Sequence, residues 1–152
     1  MNSDAISSVA RDEKSTTELQ FACGLLRLFL GLRTLLAGIE KFEAGGRYSF
    51  AQYYQNMGRM AEGITGASFL PLWATKTFAL TLGYLLILLG GAVLLGIKPR
   101  LTLFALGLLY TALAFGLMVV QEAEGVAWLG LHVGLIAAAL VLVRHSRFVL
   151  WR

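Results

Sequence analysis

The chain has 152 residues, of which 57% are hydrophobic and only 14% are charged. A typical soluble domain is about 45–50% apolar and about 25% charged, and a domain of this size cannot hide so much apolar surface from water. The composition therefore excludes a soluble enzyme, a nucleic-acid-binding module and a disordered chain. The net charge of +4 is better matched by anionic lipid headgroups than by nucleic acid. We predict an integral membrane protein.

Four long apolar segments follow a polar stretch at residues 1–18, which we expect to form a cytoplasmic tail. The segments cover residues 19–42, 72–96, 101–120 and 126–143. Each has about 18–25 residues, and a helix needs about 20 to cross the hydrocarbon layer. Backbone amides in lipid must form hydrogen bonds within their own segment, which favours helices. The sequence predicts an all-α fold, a four-helix transmembrane bundle formed by residues 19–152.

The link between the first and second segments is the longest and is rich in aromatic residues. Within it, Phe50, Tyr53, Tyr54 and Met57 recur at helical spacing, which predicts a short helix in the membrane interface. The alternative is that these aromatic side chains only anchor the chain at the membrane surface.

Basic residues are distributed unequally over the two sides of the predicted bundle. The tail, the turn at residues 98–100 and the end of the chain together hold seven of them, and the opposite side holds four. Because basic loops stay in the cytoplasm, we expect both termini there, in a multi-pass protein of the inner (plasma) membrane.

The first apolar segment contains two arginines, Arg27 and Arg33. At 100° per residue, one stripe of this helix holds small and polar residues: Gly24, Arg27, Gly31, Thr34, Gly38 and Lys41. A charged side chain that faces lipid costs about 2.5–3.5 kcal/mol, so we expect the stripe to face the interior of the bundle. Ionisable residues inside a membrane usually mark a functional site.

Depth along the helices suggests which side chains meet the two arginines. Tyr110 is expected at the level of Arg27, and Tyr84 and His132 are expected near Arg33. These five residues are the candidate ligand-binding group. Two alternatives stay open: Arg27 is structural and bonded to carbonyls and a tyrosine, and His132 forms a hydrogen bond between helices.

Three acidic residues are candidate ion-pair partners of the arginines: Glu40, Glu122 and Glu124. The sequence indicates no catalytic residues and no metal site. His132 and His145 belong to one helix and lie about 20 Å apart by helix rise, so they cannot ligate one haem. The single cysteine excludes an internal disulfide.

Two segments resemble the DoxX/DoxD-like family of membrane proteins. In LLRLFLGLRTLLAGIEKF the resemblance rests on Arg27, Gly31, Gly38, Lys41 and Phe42, and in GGAVLLGIKPRLTLFALGLL it rests on Gly90, Gly91, Leu94, Gly96 and Arg100. It covers about residues 19–143 and implies a four-helix membrane bundle. The family is named after the small subunit of a thiosulfate:quinone oxidoreductase, so the resemblance also implies a link to redox complexes. Many members carry an acid where this chain has Ile87.

The resemblance and the polar cluster together predict a small accessory subunit without a bound cofactor of its own. It would serve a quinone-linked oxidoreductase or another respiratory redox complex and contribute to a quinone site. We expect it to be a non-catalytic subunit rather than an enzyme alone. Its expected partners are the lipid membrane and other membrane subunits or further copies of itself, and not nucleic acid. The alternatives are a purely structural scaffold that packs against larger membrane proteins and a transporter of small anions that uses Arg27 and Arg33.

Overall fold

A computed structural model describes the backbone of residues 3–145 and the side chains of residues 15–144, so the side chain of His145 lies outside the described part. In this range the helices are α1 (Ser3–Glu40), α2 (Phe50–Gly66), α3 (Leu72–Leu95), α4 (Pro99–Val119) and α5 (Ala123–Leu142), followed by a 3-10 turn (Val143–His145). Four helical segments are long and apolar enough to cross a membrane: Ser15–Glu40 of α1, α3, α4 and α5. The predicted multi-pass helical bundle is confirmed.

The helix ends follow from local sequence. Residue Ser3 already lies in α1, so most of the predicted tail is helical, because no glycine or proline interrupts the chain there. Helix α3 ends where Gly96 adopts a left-handed φ of 70°, and Pro99 begins α4 with a ring that is already set for the first helical position. Helix α5 begins at Ala123, earlier than predicted, with Glu124 in its first turn, where a negative charge is favourable.

A short hairpin, which was not predicted from the sequence, joins α1 to α2. Strands β1 (Glu43–Ala44) and β2 (Arg47–Tyr48) pair in antiparallel register. Gly45 and Gly46 form the turn with φ of 60° and 77°. Two consecutive positive φ angles are the requirement of a tight hairpin turn, and the Gly-Gly pair was the signal for it.

Helices α1 and α3 run antiparallel and pack through glycines seven residues apart. Gly31 faces Gly90 and Gly38 faces Gly83, because a Cβ added to either α1 glycine would lie 3.2 Å or less from the carbonyl oxygen of its α3 partner. Seven residues are about two helical turns, so Gly31 and Gly38 share one face of α1, and Gly83 and Gly90 share one face of α3. The absence of a Cβ on Gly31 and Gly38 therefore lets the backbone of α3 and its side chains Leu94 and Ile87 approach α1 closely.

Helix α2 packs against α3 at one end of the bundle. Its N-cap is Ser49, and Tyr53, four residues later, is fully buried. The Tyr53 hydroxyl donates to the carbonyl of Leu80 at 2.7 Å and accepts from the amide of Gly83 at 3.2 Å. The interpretation of the link as surface anchors alone is therefore wrong for Tyr53.

The long helices enclose one apolar core. Helix α1 packs against α3 and α5, and α4 packs against α5 and α3, which closes the bundle. The fully buried core side chains include Cys23, Leu30, Leu82, Leu103, Leu106 and Ile136.

Candidate functional site

Arg27 lies in the core and contacts the end of α3. Its guanidinium donates to the carbonyl oxygen of Val93 from Nε at 3.4 Å and from Nη2 at 3.1 Å. Val93 lies in the last turn of α3, and its carbonyl also accepts a hydrogen bond of 3.2 Å from the amide of Gly96. A positive charge at this end of a helix is favourable. This contact agrees with the alternative in which Arg27 is a structural residue bonded to backbone carbonyls. Arg27 does not line the cavity described below.

Most of the polar stripe of α1 is buried, as expected. Arg27, Gly31, Thr34 and Gly38 are buried, whereas Gly24 is exposed. The hydroxyl of Tyr110 forms a hydrogen bond of 3.1 Å with that of Thr34. Tyr110 therefore joins α4 to the stripe through Thr34.

Tyr84 does not join Arg33 and His132. It is 42% exposed, and its ring lies 5.6 Å from that of Phe42 and 5.1 Å from that of Tyr53. The cavity is lined instead by Leu82 and Leu86 of the same helix. Each is two residues from Tyr84, about 200° around the helix. The sequence prediction of a shared cluster was wrong, because depth fixes the level of a residue and not the face on which it lies.

A cavity of about 880 Å³ lies where α1 and α4 end and α3 and α5 begin, next to α2. Its volume is within the usual range for small-molecule sites. Much of its wall is apolar and aromatic, and includes Phe29, Ile64, Phe78, Leu82, Phe115 and Trp128. Since Phe29, Phe115 and Trp128 are also exposed, the cavity is continuous with the surface of the bundle that faces lipid.

Arg33 and Lys41 supply positive charge to this cavity, and no carboxylate of a described residue lines it. Lys41 follows Arg33 by eight residues, which places it about 12 Å further along the axis of α1 and about 80° around it, yet both side chains line the cavity. Lys41 was predicted on the polar stripe but was not predicted as a site residue. A cationic rim on an apolar cavity suits an amphipathic molecule whose head carries oxygen acceptors.

The predicted acidic partners do not neutralise this rim. Glu40, Glu122 and Glu124 are exposed, and among residues 15–144 none of them forms an ion pair with Arg33. Glu40 precedes Lys41 by one residue and so points about 100° away from it around the helix.

His132 is held rigidly in the cavity wall. Its ring lies 5.3 Å from the ring of Tyr110 and 6.2 Å from that of Phe29, nearly parallel to both. Its Nδ1 lies 2.8 Å from the carbonyl oxygen of Trp128, one turn earlier. Its Nε2 is buried and has no hydrogen-bond partner among the side chains and backbone groups that the structure describes. A buried polar atom of this kind calls for an explanation.

The aromatic wall of the site was not predicted from the sequence. Phe29 lies four residues before Arg33, and Trp128 lies four residues before His132. Residues four apart share a helix face, so this spacing was the available signal.

Comparison with protein-family models, with curated proteins and with solved structures finds no match for this chain.

Proposed function

We propose that this chain is a small accessory subunit of a quinone-linked oxidoreductase in the membrane, and that its cavity binds a lipid-soluble quinone. The observation that carries the proposal is an apolar cavity of about 880 Å³ whose wall includes the polar side chains of Arg33, Lys41 and His132. Quinones combine an apolar tail with a polar ring, which such a cavity suits. The resemblance to DoxX/DoxD-like proteins points to the same function.

The residues that line the cavity fit this group. Arg33 and Lys41 are hydrogen-bond donors for ring oxygens. Phe29 and Trp128 offer aromatic faces next to His132, and aromatic rings pack favourably against one another. The lateral opening provides a route from the lipid phase. When bound, a quinone would supply the redox chemistry, whereas the chain itself would bind and orient it.

Direct extraction tests the proposal. The protein is purified in a mild detergent with its native lipid, extracted with organic solvent and analysed for quinone by chromatography. We expect bound quinone in the wild type and a several-fold loss in His132→Leu and Arg33→Leu. Tyr84→Phe is the matched control, since Tyr84 lies outside the cavity. Repeated absence of quinone from folded wild-type protein would contradict the proposal.

The proposed topology places both termini in the cytoplasm of a cell whose inner (plasma) membrane holds the protein. The cavity end of the bundle then faces away from the cytoplasm, because α1 ends there. Alkaline phosphatase and green fluorescent protein fused in turn to the C-terminus report its side. Phosphatase activity with a dark fluorescent fusion would contradict this orientation.

A structural scaffold is the second candidate. The observation that favours it is the exposure of α5, of which only 11% of the apolar window is buried in the bundle, against 33% for α1 and α3. Such a helix offers a face to another membrane subunit or to a second copy. Stoichiometric co-purification of a membrane partner, together with a lack of extractable quinone, would favour the scaffold over the quinone site.

A further inference from the structure

Arg33 lies level with the middle of a membrane-spanning helix. The hydrogen bond between Thr34 and Tyr110 places this part of α1 beside residue 110 of α4. Helix α4 spans Pro99–Val119, so Tyr110 lies about 14 Å from one end of that helix and about 16 Å from the other. Both distances exceed the length of an arginine side chain. The Arg33 guanidinium therefore cannot reach the headgroup region by extending along the helix, as cations near helix ends do.

The part of the chain that the structure describes supplies no counter-ion for Arg33. No hydrogen bond or ion pair joins its guanidinium to any of residues 15–144, and no carboxylate among them lines the cavity. Arg27, in contrast, is bonded to the carbonyl of Val93. Charged side chains at this depth usually pair with an opposite charge or with backbone carbonyls, so the charge of Arg33 calls for a partner.

The cavity is the space from which such a partner can reach Arg33. The Arg33 side chain lines the cavity and is exposed. Lys41 adds a second positive charge to the same space. Because an apolar surrounding has a low dielectric constant, it strengthens the attraction between opposite charges relative to water. The cavity therefore favours a ligand that carries a negative charge on an apolar body.

We propose that the cavity binds a long-chain carboxylate, with its carboxylate group against Arg33 and its hydrocarbon chain along the apolar wall of Phe78, Leu82 and Leu113. A carboxylate accepts two parallel hydrogen bonds from a guanidinium, and the two charges cancel. The protonated acid is neutral and can enter from the lipid, whereas a phosphodiester lipid stays charged and pays the cost of burial. Beside Arg33 the acid ionises, because a nearby positive charge favours the carboxylate, and its proton passes to water.

This inference goes beyond the proposed function and does not rest on it. A quinone is neutral and leaves the charge of Arg33 uncompensated. The two ligands would occupy one cavity of about 880 Å³, so they would exclude each other.

The test compares a carboxylate with a neutral molecule of the same length. The protein is reconstituted in phosphatidylcholine nanodiscs, which contain no anionic lipid, in a mildly alkaline buffer. It is titrated with radiolabelled hexadecanoate and, separately, with hexadecanol, and empty nanodiscs correct for partitioning into lipid. We expect saturable binding of hexadecanoate that is on the order of tenfold tighter than that of hexadecanol, because hydrogen bonds to a charged group are the stronger ones.

Variants at one position isolate the role of the charge. Arg33→Gln should bind hexadecanoate as weakly as hexadecanol, and Arg33→Lys, which keeps the charge, should retain a preference for hexadecanoate. Arg47→Gln is the matched control, since Arg47 is exposed on the hairpin and lies outside the cavity. It removes the same charge and should bind like the wild type. Thermal melting of each variant reports whether it is folded.

A further variant locates the ligand. Gly116 lines the cavity, and a Cβ added there would meet nothing within 4 Å. Gly116→Phe should therefore place a ring in the cavity and weaken the binding of hexadecanoate while every charge is kept.

Three results would refute the inference: equal binding of hexadecanoate and hexadecanol to the wild type, a preference that survives in Arg33→Gln, and a loss in Arg47→Gln as large as that in Arg33→Gln. Undiminished binding in folded Gly116→Phe would also refute it, because the ligand would then lie outside the cavity. Each of these results leaves the quinone site to the extraction experiment, which tests it separately.

Discussion

Replacement of Gly90 by alanine should separate α1 from α3. A Cβ at this position would lie 2.6 Å from the backbone nitrogen and 2.9 Å from the Cα of Leu35, and 3.0 Å from the carbonyl oxygen of Gly31. All three atoms belong to the backbone, so no side-chain rotation relieves the overlap. Ordinary contacts begin at 3.4 Å, and the helices must therefore move apart by about 0.8 Å. Overpacking of this kind costs about 1–3 kcal/mol.

Gly91→Ala is the matched control for this change. It lies in the same helix, and a Cβ there would meet nothing within 4 Å. Both variants gain the same helix propensity, up to about 1 kcal/mol, so their difference isolates the contact between helices. We expect Gly90→Ala to melt about 2–12 °C below Gly91→Ala, measured by circular dichroism in detergent. Equal melting temperatures would refute the close backbone packing of α1 and α3.

Three further predictions concern single side chains. Arg27→Met should lower the melting temperature because it removes a buried hydrogen-bond donor to α3. Arg33→Met should leave the melting temperature nearly unchanged. An equal drop in the melting temperature of both variants would contradict the structural role of Arg27. Tyr53→Phe should lower the free energy of unfolding by about 1 kcal/mol, because the hydroxyl loses its hydrogen bonds to α3. Tyr54→Phe, at an exposed position, should leave the free energy of unfolding unchanged. Denaturant unfolding of the two variants checks this. Burial raises the pKa of Tyr53, so the folded state favours its neutral form. The stabilisation from this side chain should be complete below about pH 10, where the pKa of tyrosine in the unfolded chain lies. It should be lost as the pH rises through the folded pKa. Ultraviolet titration should show a late phenolate step that Tyr53→Phe removes, and a titration identical to wild type would contradict it.

Local patterns predicted α3 closely. Its start at Leu72 was expected, and its end at Leu95 differs from the prediction by one residue. A proline before the helix and a glycine after it act within a few residues of the chain, so their effect is readable without knowledge of the fold. The start of α1 was less predictable. The polar residues before the apolar span extend its helix toward the N-terminus, and no apolar periodicity marks them as helical.

The composition of the site was only partly predictable. Arg33 and His132 were expected together, and both line the cavity. Tyr84 was expected with them, but it packs against Tyr53 instead. The hydroxyl of Tyr53 inserts between backbone groups of α3, and no periodicity in the sequence signals a contact of that kind.

A multi-pass helical membrane protein could be predicted from the sequence alone, because the thickness of the bilayer and its lack of water dictate the length and composition of each span. The roles of the polar residues depend on how the helices pack. Arg27 and Arg33 are six residues apart in one helix, yet Arg27 bonds to the end of α3 and Arg33 lines the cavity. Helix rise gives the depth of each side chain, but its partner depends on the rotation of every helix about its axis, and the packing of neighbouring helices sets that rotation.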